Sequence, residues 1–478
     1  MAHDRYAGPR VRRDALWRLG LVGLGTLAVP LDTALNIAFP AITEAFGLAL
    51  PDIQWMVIGY VLTYGSLMLG IGRLGDIFGH ARVFRAGLAA SALAYLLCAV
   101  APGYGWLLAL RVAQGVGAAL VIGCGPALAT SLFPEAERGR VLGLYALMFA
   151  AGSVIGPSLG GVLLAAWGWP AVFWFRAPIA LLALLLLLRG LPTPPPAAAR
   201  EPFDLPGAVL VALATGSLLL AVNQARHLGA GGMSALPLAA LFLAALAGFL
   251  RRSRTAPRPV IAPGHFRRPG FARLNAANAL ANFAGFAVLL FVPYWLTGIA
   301  RLPTATAGFV LAVAPLGTAL AAAPAGWLLA RLPAWRMARA GVALGALGLG
   351  LVAAWQPGTP LPALLPGLLL LGIGQGLVQV GYAEIVTATL PRQDRGVAGS
   401  LTMLTRTLGI TGAASLLTLW FDHWQAAALA GGAAPAEAFL RAFAAAFALA
   451  AGLSAAAWLL LAPPGPESPP RAGTGGLA

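Results

Sequence analysis

Fourteen long apolar segments dominate the sequence and restrict the folds open to it. They run at roughly 19–41, 53–73, 83–101, 106–128, 142–163, 170–189, 206–222, 234–250, 274–297, 305–330, 337–355, 361–389, 397–421 and 439–461. Most approach or exceed the ~20 residues that a helix needs to cross a bilayer. Only 10% of the residues are charged, against about 25% in a soluble domain. The apolar runs do not alternate as β-barrel strands do. The sequence therefore predicts an all-α polytopic membrane protein with fourteen transmembrane helices.

The formal net charge of +16 comes from 31 arginines and no lysine. Most arginines lie before the first segment or in the even-numbered loops, including Arg82, Arg138, Arg251, Arg336 and Arg392. Short loops rich in basic residues stay in the cytoplasm. This distribution indicates membrane topology rather than nucleic-acid binding. It predicts a multi-pass protein of a bacterial inner (plasma) membrane, with both termini cytoplasmic and no nucleic-acid partner.

The absence of lysine excludes a Walker-A site and a lysine Schiff base. If this protein moves a solute, ATP hydrolysis within this chain does not drive the movement. Ser158 lies in a Gly-x-Ser-x-Gly pattern typical of serine hydrolases. A base would have to come from a neighbouring span, yet the candidate histidines fall in loops or at helix ends: His80, His227, His265 and His423. The sequence therefore disfavours an intramembrane protease, and we expect no enzyme activity, no catalytic residues and no metal site.

An internal repeat divides the chain into two halves. Residues 72–87 match residues 326–341 at six of sixteen positions, and residues 134–139 match 391–396. The two offsets are nearly equal and exceed the length of six spans, which leaves spans 7 and 8 as an inserted hairpin. We expect a cytoplasmic tail (1–18), a six-helix half (19–190), a linker with inserted helices 7 and 8 (191–258), a second six-helix half (259–462) and a cytoplasmic tail (463–478). Parallel repeats of this kind are typical of the major facilitator fold.

Four motifs resemble those of one transporter family. The loop Gly72-Arg73-Leu-Gly75-Asp76-Ile-Phe-Gly79-His-Ala-Arg82 is similar to the signature loop of the major facilitator superfamily. Residues 31–40, with Asp32 and Asn36, resemble the first-span motif of its drug:proton antiporters, and residues 111–117 resemble the fourth-span motif. The stretch Gly152-Ser-Val-Ile-Gly156-Pro157-Ser-Leu-Gly160-Gly161 matches the fifth-span antiporter motif. With the hairpin, the chain resembles the fourteen-span branch of these antiporters. Arg176 departs from the pattern, because an uncharged polar residue is usual there.

The ionisable residues inside the apolar segments are few: Asp32, Arg111, Glu384 and Arg406, with Arg176 shallower. Each costs at least ~2.5–3.5 kcal/mol in a bilayer and marks a pathway or a structural pair. Asp32 lies about 20 Å from the inner face and Arg111 about 8 Å from the outer face, so their depths nearly coincide in a ~30 Å core. The resemblance assigns both to proton coupling, and the alternative is a static ion pair. Asn36 and Gln114, one turn from each, either line the same cavity or pack between helices.

The second half offers further candidates for the cavity and the substrate. Gln375, Gln379 and Tyr382 form a polar stripe on span 12, and Glu384 lies on another face. Glu384 is either a substrate carboxylate or a partner of Arg406 on span 13, since a long arginine side chain can snorkel.

Two motifs have both a purely structural and a functional interpretation. Gly152, Gly156 and Gly160 form a small-residue stripe that either packs generically or seals the two halves. Asp76, beside Arg73 and Arg82, is either a charge latch at the cytoplasmic gate or an ordinary solvated loop residue.

The resemblance implies a proton-coupled antiporter that exports amphipathic organic molecules by alternating access. It needs no cofactor, because the proton gradient drives it. Its expected partners are the lipid bilayer, protons and a small amphipathic substrate, and we expect a monomer. A dedicated exporter of one metabolite or antibiotic is the alternative. A symporter is less favoured, and a scaffold has no need for Asp32 or Arg111.

Overall fold

The computed structural model describes residues 9–134, 137–190, 204–224, 235–256, 270–329, 331–389 and 396–461, and the secondary structure of this part of the chain is helical. The helices are α1 (Pro9–Leu27), α2 (Ala34–Ala45), α3 (Gln54–Phe78), α4 (His80–Ala99), α5 (Tyr104–Thr130), α6 (Arg138–Trp167), α7 (Ala171–Trp174), α8 (Arg176–Gly190), α9 (Leu205–Gln224), α10 (Ala235–Thr255), α11 (Phe271–Tyr294), α12 (Thr304–Leu329), α13 (Ala334–Ala353), α14 (Leu361–Thr389), α15 (Gly396–Ala430) and α16 (Pro435–Leu460).

Each of the fourteen apolar segments contains a helix. Within the described residues, eleven helical spans are long and apolar enough to cross a membrane. Helices α3, α9 and α15 occupy the other three segments, numbers 2, 7 and 13. The all-α polytopic class is confirmed. Two boundaries were wrong: α1 begins at Pro9, well before segment 1, and α15 extends to Ala430 and includes His423. The alanine-rich sequence at 426–430 favours continuation of α15. His227 and His265 lie outside the described residues.

The first membrane span is broken in its middle, where the sequence had indicated one continuous helix. Helix α1 ends at Leu27, a 3₁₀ turn covers Pro30–Thr33, and α2 begins at Ala34. Proline lacks the amide hydrogen that an α-helix needs at an interior position. The backbone N–H of Asp32 donates to the carbonyl of Val29 at 3.0 Å, which closes a tighter turn instead. The break therefore displaces Asp32 from the regular surface of a helix.

Each half has one helix that lies between two others. In the first half, α5 lies between α3 and α4, α6 packs against α1 and α2, and α8 packs against α1 and α4. In the second half, α14 lies between α12 and α13, and α11 packs on α15 and α16. The halves meet mainly through α6 with α12 and through α3 with α15.

The hairpin of α9 and α10 lies at the side of this assembly. Helix α9 packs on α3 and α15, and α10 packs on α9. Among the described side chains of α10, only Ala245 and Ser253 are buried. At the start of α9, Asp204 accepts a hydrogen bond from the backbone N–H of Gly207 at 3.1 Å and one from Arg252 Nε at 2.7 Å. That ion pair ties the two ends of the hairpin. The exact domain boundaries fall mostly in residues outside the described ranges and stay a prediction.

Candidate functional site

A buried cluster of charges forms around Asp32. The carboxylate accepts two hydrogen bonds from Arg111, from Nη1 to Oδ1 at 2.8 Å and from Nη2 to Oδ2 at 3.0 Å. This is the bidentate geometry in which arginine binds carboxylates most strongly. The side chain of Arg111 is 1% exposed and that of Asp32 is 13% exposed. The carboxyl is thus the member of the pair that retains contact with the exterior.

Gln114 completes the contact one turn along α5. Its Nε2 donates to Asp32 Oδ1 at 2.8 Å, and its Oε1 accepts from Arg111 Nη1 at 2.8 Å. Arg111 also donates from Nε to the carbonyl of Met56 at 3.0 Å. The amide of Gln114 and the carbonyl of α3 therefore fix the plane of the guanidinium that faces Asp32. The structure brings Asp32, Arg111 and Gln114 into direct contact.

A second arginine reaches the same carboxylate, which the sequence analysis had missed. Arg176 Nη1 lies 2.5 Å from Asp32 Oδ1, and its side chain is completely buried. Arg176 Nε donates to the carbonyl of Val172 in the preceding turn at 3.2 Å. Arg176 was expected to lie shallower than the other ionisable residues, yet its contact with Asp32 Oδ1 places it in the same cluster as Arg111.

Two tyrosine rings flank the guanidinium groups. The Cζ of Arg111 lies 4.3 Å from the centre of the Tyr60 ring, and that of Arg176 lies 4.3 Å from the centre of the Tyr95 ring. Aromatic faces attract cations, and the attraction increases where water is excluded. The rings therefore offset part of the cost of burying two positive charges beside one negative charge.

The glycine stripe of α6 faces the broken part of span 1, in its own half. A Cβ added to Gly152 would lie 2.7 Å from Cγ of Pro30, and one on Gly160 would lie 2.8 Å from Cα of Ala34. Of the two interpretations of Gly152, Gly156 and Gly160, these contacts favour packing within the first half over a seal between the halves. These glycines instead give the 3₁₀ turn with Asp32 the space that it occupies.

The contact between halves involves the two remaining members of that motif. A Cβ on Gly161 would lie 2.5 Å from the carbonyl oxygen of Thr304, and one on Gly308 would lie 2.4 Å from that of Pro157. These backbones of α6 and α12 are too close for any side chain at those glycines. In addition, the hydroxyl groups of Thr43 and Tyr294 hydrogen bond across the halves at 2.7 Å.

The span-12 candidates separate into different environments. Gln375 packs its amide against Gly285 of α11, where an added Cβ would lie 1.8 Å from Nε2. Gln379 is exposed. Tyr382 is buried and donates to Oδ1 of Asn275 at 2.8 Å. Of the three residues of the polar stripe, Gln375 and Gln379 therefore keep some exposure, whereas Tyr382 does not.

Glu384 and Arg406 do not form the expected ion pair. Glu384 is exposed and Arg406 is half-buried, and no salt bridge joins them among the residues that the structure describes. The two lie on helices, α14 and α15, that have few contacts with each other. In the first half, Asn36 is buried but makes no hydrogen bond with the Asp32 cluster within the described chain.

Sequence reasoning missed a row of asparagines on α11. Asn275, Asn278 and Asn282 are spaced by three and four residues and therefore share one helix face. Asn278 Nδ2 donates to Oγ1 of Thr405 on α15 at 2.8 Å. Their helical spacing within an otherwise apolar segment was a signal that could have found them. The second half thus presents neutral amide and hydroxyl groups where the first half presents charges.

The signature loop is described only in part. Gly72 and the side chains of Arg73 and Asp76 lie outside the described set, so the charge latch stays a prediction. Gly79 joins α3 to α4 with φ +90° and ψ 125°, a conformation that favours glycine. A Cβ on Gly75 would lie 2.2 Å from Nδ1 of His80. Arg82 is exposed. The glycines of this motif therefore permit the close turn between the two helices.

Comparison with known proteins agrees with this architecture. The model of the Major Facilitator Superfamily matches residues 22–414 and 274–477. The cephamycin export protein CmcT of Amycolatopsis lactamdurans is 35% identical over 402 residues, 82% of each chain. The riboflavin transporter RibZ of Clostridioides difficile is 28% identical over 410 residues, 86% of this chain and 88% of RibZ.

The fold also matches solved structures. A bacterial homologue of the human lysosomal transporter Spinster, solved in an inward-facing and unoccupied conformation, superposes with a TM-score of 0.69. Its sequence is 16% identical, and the match covers 95% of this chain and 97% of that chain. The relatives are transporters rather than enzymes. By family match, identity and fold, this chain is a multi-pass membrane transporter that belongs to the Major Facilitator Superfamily.

Proposed function

We propose that this transporter is a proton-coupled antiporter that exports amphipathic organic molecules by alternating access. The observation that supports it most is the position of Asp32. Asp32 lies in the 3₁₀ turn that breaks span 1, and its side chain is 13% exposed and binds two guanidinium groups. When ionised, it ties span 1 to α5 and α8. When protonated, it loses its charge, and these ties weaken.

A static ion pair is the competing interpretation of the same contacts. A pair that only holds helices together needs no exposure, and its Coulomb attraction is stronger where water is excluded. The break in span 1 also has a cost in backbone hydrogen bonds that a purely structural aspartate does not require. Both features support a carboxyl that exchanges its proton during transport.

The polar groups of the second half support this substrate class. Gln375, Gln379 and Asn282 keep some exposure and offer neutral donors and acceptors beside apolar side chains. Such a surface suits an organic molecule with both polar and apolar parts. A dedicated exporter of one antibiotic or metabolite is a second candidate, which the 35% identity to a cephamycin export protein favours.

The decisive experiment is transport in proteoliposomes with Asp32→Asn. This change keeps the shape and hydrogen-bonding capacity of the side chain but removes its titratable proton. We expect uphill transport driven by a pH gradient to be lost, while downhill exchange of substrate persists. Asp14→Asn is the matched control, because Asp14 is an exposed residue near the start of α1, and it should behave as wild type.

The result also separates the alternatives. A pH-sensitive dye inside the vesicles reports whether protons move against the substrate, as in antiport, or with it, as in symport. A panel of competing organic molecules distinguishes a broad exporter from a dedicated one. Wild-type uphill transport by Asp32→Asn would reject this carboxyl as the carrier and direct attention to Glu384. We further propose a monomer in the inner membrane of a bacterium, with both termini in the cytoplasm.

A further inference from the structure

The two arginines that bind Asp32 are not equivalent. Arg111 shares its donors among both oxygens of Asp32, the amide oxygen of Gln114 and the carbonyl of Met56. Arg176 donates only to Asp32 and to the carbonyl of Val172, and its Nη2 is buried with no hydrogen-bond partner in the described chain. Arg176 therefore depends on the charge of Asp32 far more than Arg111 does.

The arrangement holds more positive than negative charge. Within the described residues, Arg111 and Arg176 contact one carboxylate between them, and both approach the same atom, Oδ1. A buried charge without a partner is strongly unfavourable. Protonation of Asp32 would leave two neighbouring guanidinium groups without any carboxylate, so the second arginine opposes protonation in addition to the first.

We propose that Arg176 is a second positioning residue of the coupling carboxylate, and that its charge sets the pH range in which Asp32 takes up its proton. This inference rests on the proposed role of Asp32 as the proton carrier. Arg176 enters no bond with substrate. It acts through Asp32, whose Oδ1 it holds towards α8, and protonation of Asp32 would release α8 from span 1.

The other ionisable groups around Asp32 are tyrosines, a cysteine and an arginine. Tyr60 faces it from α3, Tyr95 and Cys98 face it from α4, and Arg111 faces it from α5. Helix α6 contributes glycines and the backbone of Ser153 at this level. The ordinary titration ranges of tyrosine, cysteine and arginine all lie above neutrality. A pH-dependent change at this cluster near or below neutrality is therefore a change at Asp32.

The test compares Arg176→Gln with Arg176→Lys. Arg189→Gln is the matched control, because Arg189 lies exposed at the other end of the same helix. Infrared spectroscopy of the full-length protein follows the carboxylic-acid band of Asp32, identified by its absence in Asp32→Asn, as the pH is varied. Uphill transport in proteoliposomes is measured over the same pH values.

With one cation removed, Arg176→Gln should move the midpoint of the Asp32 band to higher pH by about one pH unit or more. The pH profile of uphill transport should move in the same direction. Arg176→Lys retains the charge and should stay nearer to wild type, while Arg189→Gln should not shift. A purely structural role would instead lower the yield of folded protein in Arg176→Gln and Arg176→Lys alike, with the midpoint unchanged.

An unshifted band in folded Arg176→Gln would overturn the proposal. Arg176→Met, which fills similar space without an unmatched polar group, replaces it if the glutamine variant does not fold. If Arg176→Gln and Arg176→Met both fail to fold while Arg176→Lys folds, Arg176 is a structural counter-ion. That result would also overturn the proposal. The infrared band does not depend on transport. Uphill transport by Asp32→Asn would therefore reject the proposed function, whereas the band shift separately decides the effect of Arg176.

Discussion

Gly156 of α6 lies so close to Thr33 that a Cβ on the glycine would be 2.1 Å from the Oγ1 of Thr33. The same hydroxyl lies 2.8 Å from the carbonyl of Pro30 and 3.3 Å from that of Ser153. Thr33 is the neighbour of Asp32 in the 3₁₀ turn. The fifth span thus touches the turn that presents the carboxyl, and its glycines limit where that turn can lie.

Gly156→Ala should therefore displace the turn. We expect the thermal stability in detergent to fall, with a cost of about 1–3 kcal/mol from overpacking, and uphill transport to fall with it. Thr33→Ala removes the nearest atom, so the double variant Thr33→Ala/Gly156→Ala should recover part of both losses. Gly143→Ala, in the same helix with open space at its Cβ, is the control. No recovery in the double variant would show that the contact with Thr33 is not the cause.

Gly161→Ala should separate the two halves where α6 meets α12. The added methyl group would meet backbone atoms of Thr304 and Gly308, which cannot rotate away as a side chain can. We expect the introduced cysteine of Thr43→Cys to react faster with a membrane-impermeant maleimide in the Gly161→Ala background. Cys98 and Cys124 are buried and should contribute little signal. An unchanged labelling rate would contradict the assignment of Gly161 to this interface.

Arg111→Lys keeps the positive charge but removes the planar fork. Lysine cannot bind both oxygens of Asp32 while it also donates to Met56, so at least one charge-assisted hydrogen bond is lost. We expect a loss of about 1.5–3 kcal/mol in stability, visible as a lower midpoint of thermal unfolding, and weakened uphill transport. Arg189→Lys is the control on an exposed site. Wild-type behaviour of Arg111→Lys would mean that charge alone suffices at this position.

Tyr382→Phe should affect stability rather than substrate binding. Tyr382 is 1% exposed. Removal of its hydroxyl group leaves the buried Oδ1 of Asn275 without this donor, at a cost of about 1–3 kcal/mol in stability. Gln379→Ala, on the exposed face of the same helix, should do the reverse and raise the KM for substrate with little change in stability. A raised KM in Tyr382→Phe with normal thermal stability would return Tyr382 to the substrate cavity.

The membrane fold was accessible to sequence reasoning because hydropathy and arginine distribution act over whole segments. The segment at 397–421, which α15 occupies, was among those that hydropathy identified. The break in span 1 did not follow, because Pro40 lies inside α2 without interrupting it. Pro30 differs from Pro40 because the glycines of α6 leave space for a turn beside Pro30. That space depends on helix packing, which the sequence does not show.

The pairing of Asp32 with Arg111 followed from depth alone. The same arithmetic places Arg176 about six residues into its span, roughly 9 Å from the outer face, level with Arg111. The sequence analysis nevertheless described Arg176 as shallower and proposed no partner for it, so its contact with Asp32 was missed. Glu384 and Arg406 show the opposite limit. Their depths also permit a pair, yet the rotation of α14 and α15 about their axes decides contact, and depth carries no information on rotation.

The hairpin of α9 and α10 has a consequence for how molecules arrive from the bilayer. Helix α9 touches α3 from one half and α15 from the other, so it lies across the line where those halves meet. Lipid on that flank faces an additional pair of helices before it reaches this line. A hydrophobic compound dissolved in the membrane would therefore meet two unequal flanks of the transporter, and the hairpin would hinder its lateral approach on one of them.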